Sequence, residues 1–226
     1  MVFMRPDHGA EARGYHHGNL RTALVEAGVE LARTGGPNAV LLRAASREAG
    51  VSHNAAYRHF ANHEDLLAAV AGRCMTKLAL LMIERADLVT ARSRADRARA
   101  RLEAIGRAYI DFARTEPGWF RTAFTAARPH PAPRPTYQRS DATGAGADAE
   151  ADQTASPYAL LNARLDELVD VGALTPERRV GAEYGAWSAV HGLSSLLLDG
   201  PLRDLPEPEV ERAITTVLAM VGRALQ

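Results

Sequence analysis

The sequence has a single cysteine and no long apolar run, and each shortage excludes a class of protein. Cys74 alone can form neither an internal disulfide nor a cysteine-rich metal site, which agrees with a reducing compartment. No uninterrupted apolar stretch approaches the roughly 20 residues that a transmembrane helix needs, and the first residues lack the apolar core of a secretory signal. We therefore expect a cytoplasmic protein with no membrane partner.

An excess of charge of either sign is also absent. The 27 basic and 27 acidic residues balance, so the field of the whole chain does not favour a polyanionic partner, and any nucleic-acid surface must be local. Every basic residue except Lys77 is an arginine, which suits bidentate and phosphate contacts as well as ordinary solvated surfaces. Six of the eight histidines lie near the N-terminus, which indicates two halves with different roles: His8, His16, His17, His53, His59 and His63.

The alternation of β-branched residues that is typical of strands is nearly absent, while apolar residues recur at spacings of three and four. This pattern predicts an all-α protein, and the 46% hydrophobic content is enough for a substantial core. We expect a flexible arm at 1–17, a three-helix domain at 18–62 and a larger antiparallel helical bundle at 63–226. Residues 129–157, rich in Pro, Ala, Gly and Asp, predict a long irregular loop within the bundle, either a functional lid or a disordered segment.

Local signals place the helix ends of the N-terminal part. Ser52 can cap a helix through its hydroxyl, and Asn62 with Asp65 resembles a capping box. Gly35-Gly36-Pro37 ends the first helix. The predicted helices are Asn19–Arg33, Leu42–Ala49, His53–Phe60 and a long one that begins after Asn62.

The bundle shows further helical stripes. One helix should end near Glu116, because Pro117 disfavours helical geometry in the residue before it. The others are predicted at Trp119–Ala127, at Tyr158–Val169, from Thr175-Pro176 through Leu198, and at Val210–Leu225. The apolar stripe of the last helix is either intramolecular core or half of a subunit interface.

The stretch GVSHNAAYRHF, residues 50–60, matches the second half of a helix-turn-helix, in which a short helix enters the DNA major groove. On a helical wheel Ala56 and Phe60 face inward. Asn54 on the outer side can pair with adenine, and Ala55 can contact a thymine methyl group. Residues that can hydrogen-bond base edges are Ser52 and His53, and residues with the reach for phosphate oxygens are Arg43, Tyr57 and His59.

The stretches YHHGNLRTALVEAGVELARTGG and LRAASREAGVSHNAAYRHFANHEDLLAAV resemble the TetR family of bacterial transcriptional regulators, over about residues 15–70. The rest resembles that family in helical organisation, and the segment from Trp187 through His191 to Gly192 is similar to a C-terminal motif of one branch. The resemblance implies a homodimer that binds operator DNA and accepts a small-molecule effector in the bundle. It also implies that the last helix contributes to the subunit interface, and it assigns DNA contacts to Arg43, Ser52, His53, Asn54, Tyr57 and His59.

The chain departs from the family pattern at several positions. His63 stands where many relatives have a lysine that meets a phosphate, so a neutral His63 predicts a weaker contact. Leu41 occupies a usual Ser or Thr capping position and cannot cap with its side chain. Arginines and carboxylates balance over residues 1–70. We therefore expect modest non-specific DNA affinity, which rises below about pH 6.5 if the histidines become protonated.

Aromatic residues of the bundle are candidates for an effector pocket, although helical spacing is equally typical of ordinary core. The candidate residues are Tyr109, Phe112, Trp119, Phe124, Tyr158, Trp187 and His191. His191 can orient a ligand or be a satisfied core or interface histidine. The sequence contains no recognisable catalytic motif. A metal site at His59 and His63 is not expected either, because a predicted helix break between them prevents the two side chains from sharing one helix face. The sequence thus predicts a ligand-responsive repressor without a cofactor. The alternatives are a helical-bundle enzyme or carrier, and a DNA-binding regulator without a ligand.

Overall fold

A computed structural model describes residues 17–125 and 156–226, and within these ranges the regular secondary structure is entirely helical. The predicted arm at 1–17 and the predicted loop at 129–157 lie almost wholly outside the described residues. Only their last residues are described: His17 begins the first helix, and Ser156 caps a helix that begins at Pro157.

The N-terminal domain consists of three α-helices and a 3₁₀ turn around one small core. They are α1 (His17–Gly35), the turn at Pro37–Ala39, α2 (Leu42–Glu48) and α3 (His53–Tyr57). Gly50, between α2 and α3, has φ +67°, a conformation that glycine adopts without strain. The core contains Leu24, Val29, Val40, Ala45, Ala56, Phe60 and Leu66.

The third helix, α3, is shorter than the predicted His53–Phe60. It ends at Tyr57, and a turn carries the chain to Phe60, whose side chain is buried in the N-terminal core. Asn62, two residues after Phe60, has an extended backbone at φ −151° and ψ −178° because it caps the next helix. The extended backbone that this cap needs therefore ends α3 early.

The fourth helix, α4 (His63–Asp87), passes through both hydrophobic cores. Asn62 Oδ1 accepts from the Asp65 N–H at 2.8 Å, and Asp65 Oδ2 accepts from the Ala61 N–H at 3.2 Å, which confirms the predicted capping signal. Leu66 lies in the core of the N-terminal domain and Leu78 in that of the bundle. By length and composition α4 could cross a membrane, yet it packs against α1 and three bundle helices, as the central helix of a globular fold does.

The described bundle contains six more α-helices. One difference from prediction is that the helix expected from Thr175 to Leu198 is two helices. Gly181, at φ +76°, breaks it, and Val180 is extended. The helices are α5 (Arg94–Thr115), α6 (Pro117–Thr125), α7 (Pro157–Asp170), α8 (Pro176–Arg179), α9 (Ala182–Leu198) and α10 (Glu207–Ala224).

The apolar stripe of α10 lies mostly inside the subunit. Its members Val210, Ile214, Leu218 and Leu225 are buried in the bundle core, against residues of α5 and α9 among others. These four side chains are already covered within one chain. Of the two expected roles of this stripe, intramolecular core accounts for these four side chains, and a subunit interface on α10 would use its other faces.

Candidate DNA-binding surface and effector cleft

The outer face of α3 is polar and accessible. Ser52, Asn54 and Arg58 are exposed and Tyr57 is 51% exposed, whereas Ala56 is fully buried. Ser52 Oγ accepts from the Ala55 N–H at 3.2 Å, so the predicted cap is present and the hydroxyl proton remains free to donate. The helix therefore displays hydrogen-bonding groups while its inner side fixes it to the core.

Three predicted histidines are half-buried around this face. The His53 ring meets the Tyr57 ring edge-on, with centroids 4.7 Å apart. Nδ1 of His53 and Nδ1 of His63 are buried without a hydrogen-bond partner in the described part of the chain. In each ring Nε2 is therefore the nitrogen left for DNA. The backbone of His59 makes a contact within the domain, because its carbonyl oxygen accepts from Arg21 Nη1 at 3.1 Å.

Arg21 of α1 contacts the segment that follows α3. Besides the bond to the His59 carbonyl, its guanidinium lies 4.4 Å from the centroid of the Phe60 ring. Cation–π contact of this kind contributes about 0.5–1 kcal/mol at an exposed site. No local sequence signal predicts this contact, because 38 residues separate Arg21 from His59.

Three arginines of α2 and of the end of α3 have no ion-pair partner among the described residues. Arg43 is exposed near the start of α2, and neither it nor Arg47 nor Arg58 makes an ion pair within residues 17–125 and 156–226. Guanidinium groups without a carboxylate partner are available to phosphate oxygens. Neither Arg47 nor Arg58 is among the DNA contacts that the sequence predicts. Leu41 is exposed and does not cap α2 with its side chain, because a leucine side chain has no hydrogen-bond acceptor.

The bundle contains an open cleft of about 300 Å³ between α6 and α9. Of the predicted effector residues, Phe124 and His191 line it. Arg121 and Asp199 face each other there in a bidentate pair, with N–O distances of 3.0 and 2.6 Å, and hydrogen bonding to Arg121 lowers the pKa of Asp199. The other lining residues are Phe120, Thr125, Ser195 and Leu198.

Three further predicted residues lie behind the cleft. The buried Tyr109 hydroxyl is 2.8 Å from His191 Nδ1 and accepts from Trp187 Nε1 at 3.2 Å. Burial raises the pKa of Tyr109 and lowers that of His191. Tyr158 packs on Trp187, with ring centroids 5.5 Å apart. Five of the seven candidate residues therefore form one connected group.

The other two candidates, Phe112 and Trp119, lie at the junction of the two domains and do not line the cleft. Their rings stack at 6.3 Å, and Trp119 Nε1 donates to the Val29 carbonyl of α1 at 2.8 Å. Lys77 Nζ lies 4.4 Å from the centroid of the Trp119 ring. Trp119 thus connects α6 with α1 and α4.

The described residues hold no group of three or more potential metal ligands. Cys74 is fully buried in the N-terminal core, and burial raises the pKa of its thiol to about 12. At physiological pH the thiol is protonated and unreactive.

Two family models match the chain. Residues 24–70 match the model described as bacterial regulatory proteins, tetR family, and residues 102–221 match the tetracyclin repressor-like C-terminal domain. A comparison with curated proteins gives no match.

Solved structures share the fold over almost the whole length. A protein with unknown function from Rhodococcus sp. RHA1 is 25% identical, with a TM-score of 0.66 over 94% of this chain and 98% of that chain. A putative tetR family transcription regulator from Shewanella sp. PV-4 is 16% identical, with a TM-score of 0.57 over 91% and 97%. A TetR variant from Acinetobacter baumannii AYE in complex with minocycline is 15% identical, with a TM-score of 0.57 over 90% and 96%. The C-terminal model covers more than half of the sequence and the N-terminal model covers the helix-turn-helix, so the chain belongs to the TetR family of DNA-binding transcriptional regulators.

Proposed function

We propose that the protein is a dimeric repressor that a small molecule releases from its operator. The observation that carries the proposal is the outer face of α3, where Ser52, Asn54, Tyr57 and Arg58 are exposed while Ala56 is fully buried. A rigid short helix with this division can enter a major groove without rearranging its own core.

The exposed groups divide by reach into base contacts and phosphate contacts. Asn54 presents the amide that pairs with adenine, and the half-buried Ala55 allows close approach to a thymine methyl group. Ser52 and His53, at the start of α3, hydrogen-bond base edges. Phosphate contacts fall to Arg43, Tyr57, His59 and His63, which set the register of the protein on the duplex.

An uncharged exposed face on α9 and α10 supports dimerisation. Tyr184 and Leu196 of α9 are 43% and 42% exposed, and Met220 of α10 is 50% exposed. Several other exposed positions of the two helices are small or uncharged: Gly185, Ser188, Thr215, Thr216, Ala219 and Gly222. Depletion of charge is typical of the buried centre of an interface. A dimer through this face would present two α3 helices, which must sit about 34–36 Å apart to fit successive major grooves.

Two helices connect the cleft with the DNA-binding domain. α4 is buried in both cores, and Trp119 and Phe124 of α6 pack against both as well. An effector that favours one arrangement of α6 in the cleft would change the position of α1 and α4, and with it the spacing of the two α3 helices. A coupling of about 1–3 kcal/mol reduces operator affinity about 5- to 150-fold.

The DNA contacts are tested by two substitutions on an operator selected from random duplexes with the wild-type protein. Asn54→Ala should cost about 1–3 kcal/mol on that operator and relax the preference at one base pair, because it removes a base contact. Tyr57→Phe should weaken binding to all duplexes by a similar factor, because it removes a phosphate contact. Dissociation constants from gel shifts at fixed salt measure both effects.

Asn38→Ala is the matched control for Asn54→Ala, since Asn38 is an exposed asparagine in the 3₁₀ turn. It should leave operator affinity unchanged. Identical sequence profiles for both α3 variants would contradict the division of roles, and failure to select any duplex would contradict the function itself.

The dimer face is tested by Leu196→Glu. A carboxylate placed in the centre of an apolar interface must be desolvated, so the dimer should dissociate at least about tenfold more readily. Sedimentation velocity over a range of concentrations measures the change. Leu80→Glu alters a leucine of α4 that is more exposed than Leu196, at 56% against 42%, and should leave the oligomeric state unchanged. Equal association of both variants would show that α9 does not form the interface.

A further inference from the structure

The hydrogen bonds behind the cleft have a defined direction. The indole N–H of Trp187 can only donate, so the Tyr109 oxygen accepts it at 3.2 Å. The hydroxyl has one proton, and within the described ranges the acceptor in reach is Nδ1 of His191 at 2.8 Å. With Nδ1 protonated instead, the buried phenol proton would have no acceptor among the described residues, which is unfavourable for a buried polar group. The donation therefore runs from Trp187 to Tyr109 and on to His191.

This direction fixes the proton of the His191 ring. Since Nδ1 accepts, a neutral ring carries its proton on Nε2. Burial lowers the pKa of His191, which favours the neutral ring. The ring lines the cleft, and its centroid lies 4.7 Å from that of Phe124 and 5.6 Å from that of Phe120. A neutral His191 ring thus carries one N–H donor and lies beside two aromatic rings.

The remaining walls add no net charge. Arg121 and Asp199 neutralise each other in their bidentate pair. The Thr125 hydroxyl donates to the Arg121 carbonyl at 2.8 Å, and Leu198 adds apolar surface. Among the described residues that line the cleft, an anion would meet no unpaired cation and a cation would meet no unpaired carboxylate, so either would lose hydration without compensation there.

We propose that the effector is an uncharged molecule with a flat apolar body and a hydrogen-bond acceptor, such as a ketone or lactone carbonyl, that accepts from Nε2 of His191. The proposal deepens the proposed function, since it rests on the cleft being the effector site. Trp187 and Tyr109 are positioning residues: they fix the proton of His191 without contacting the effector. The volume of about 300 Å³ suits a ligand of one or two rings.

Three naphthalene probes of one size test the chemistry: acetylnaphthalene with a carbonyl, ethylnaphthalene without an acceptor, and the anion naphthoate. The ketone should bind the full-length protein about tenfold more tightly than the hydrocarbon, since a net hydrogen bond contributes about 0.5–1.5 kcal/mol. Naphthoate should bind most weakly. Titration calorimetry measures all three affinities, and equal affinities, or no binding of any probe at millimolar concentration, would overturn the proposal.

Variants and a spectroscopic readout separate hydrogen bonding from shape. His191→Leu should abolish the preference for the ketone while keeping the hydrocarbon affinity. Tyr109→Phe removes the hydroxyl that keeps the proton of His191 on Nε2, so it should reduce the preference for the ketone over the hydrocarbon without abolishing it. In the wild-type protein, ¹⁵N shifts of the His191 side chain should show a protonated Nε2, and a protonated Nδ1 in the neutral ring would refute the relay even if a variant fails to fold.

The two proposals fail in different ways. Operator release is measured separately, by gel shift in the presence of the ketone. If the ketone binds through His191 yet leaves operator affinity unchanged, the release mechanism is wrong and the assignment of the hydrogen bond stands. If ketone and hydrocarbon release the operator equally, the regulatory function stands and the assignment is wrong.

Discussion

Arg179→Leu should lower the free energy of unfolding by about 3–5 kcal/mol, because it leaves a buried carboxylate without its partner. The side chains of Arg179 and Glu183 are only 9% and 5% exposed. Arg179 Nη1 donates to Glu183 at 2.8 Å, Nε to Asp166 at 2.7 Å and Nη2 to Asn162 at 2.7 Å. The guanidinium of Arg179 therefore joins α7 to α8 and α9, close to the break between α8 and α9.

Chemical denaturation at fixed protein concentration measures this loss. The double variant Arg179→Leu/Glu183→Leu removes both charges and should lose less than the single variant, since no unpaired charge is then buried between these two positions. Arg203→Leu breaks an exposed pair with Asp204, 64% and 85% exposed, and should change stability by less than about 1 kcal/mol. A loss as small for Arg179→Leu would show that water reaches Glu183 in the folded protein.

Helix starts could be predicted from the sequence because capping is local. Ser52, Asn62 and Thr175 each accept from a backbone N–H three residues further along, so the side chain and its partner appear together in the sequence. The fold class and the inward positions of Ala56 and Phe60 follow from helical periodicity in the same way.

The cleft could not be predicted, because it depends on contacts between distant residues. Arg121 and Asp199 are 78 residues apart, and neither residue type is a usual marker of a ligand site. Periodicity alone also assigned Trp119 to an effector pocket, although its indole N–H binds the Val29 carbonyl of α1, 90 residues away. The break at Gly181 was missed because the flanking residues are good helix formers and glycine alone does not forbid a helix.

Gly118→Ala should destabilise the protein by about 3 kcal/mol through overpacking between α6 and α1. A methyl group at Gly118 would lie 2.2 Å from the Ala32 carbonyl oxygen and 2.3 Å from that of Arg33. Both are backbone atoms at the end of α1, so they cannot rotate aside, and α6 must move away. That movement would stretch the Arg33–Glu116 ion pair, now at 2.9 Å, and the bond from Trp119 to α1.

Gly72→Ala separates this clash from helix propensity. Gly72 lies within α4 with no heavy atom near an added methyl group, so alanine there should stabilise the protein by up to about 1 kcal/mol. Opposite signs for the two variants in thermal unfolding would establish the tight contact of α6 with α1. Gly118→Ala should also reduce the effect of a cleft ligand on operator affinity, measured at a temperature where the variant is folded, because α6 then no longer moves with α1. Undiminished release would assign the transmission to α4 alone.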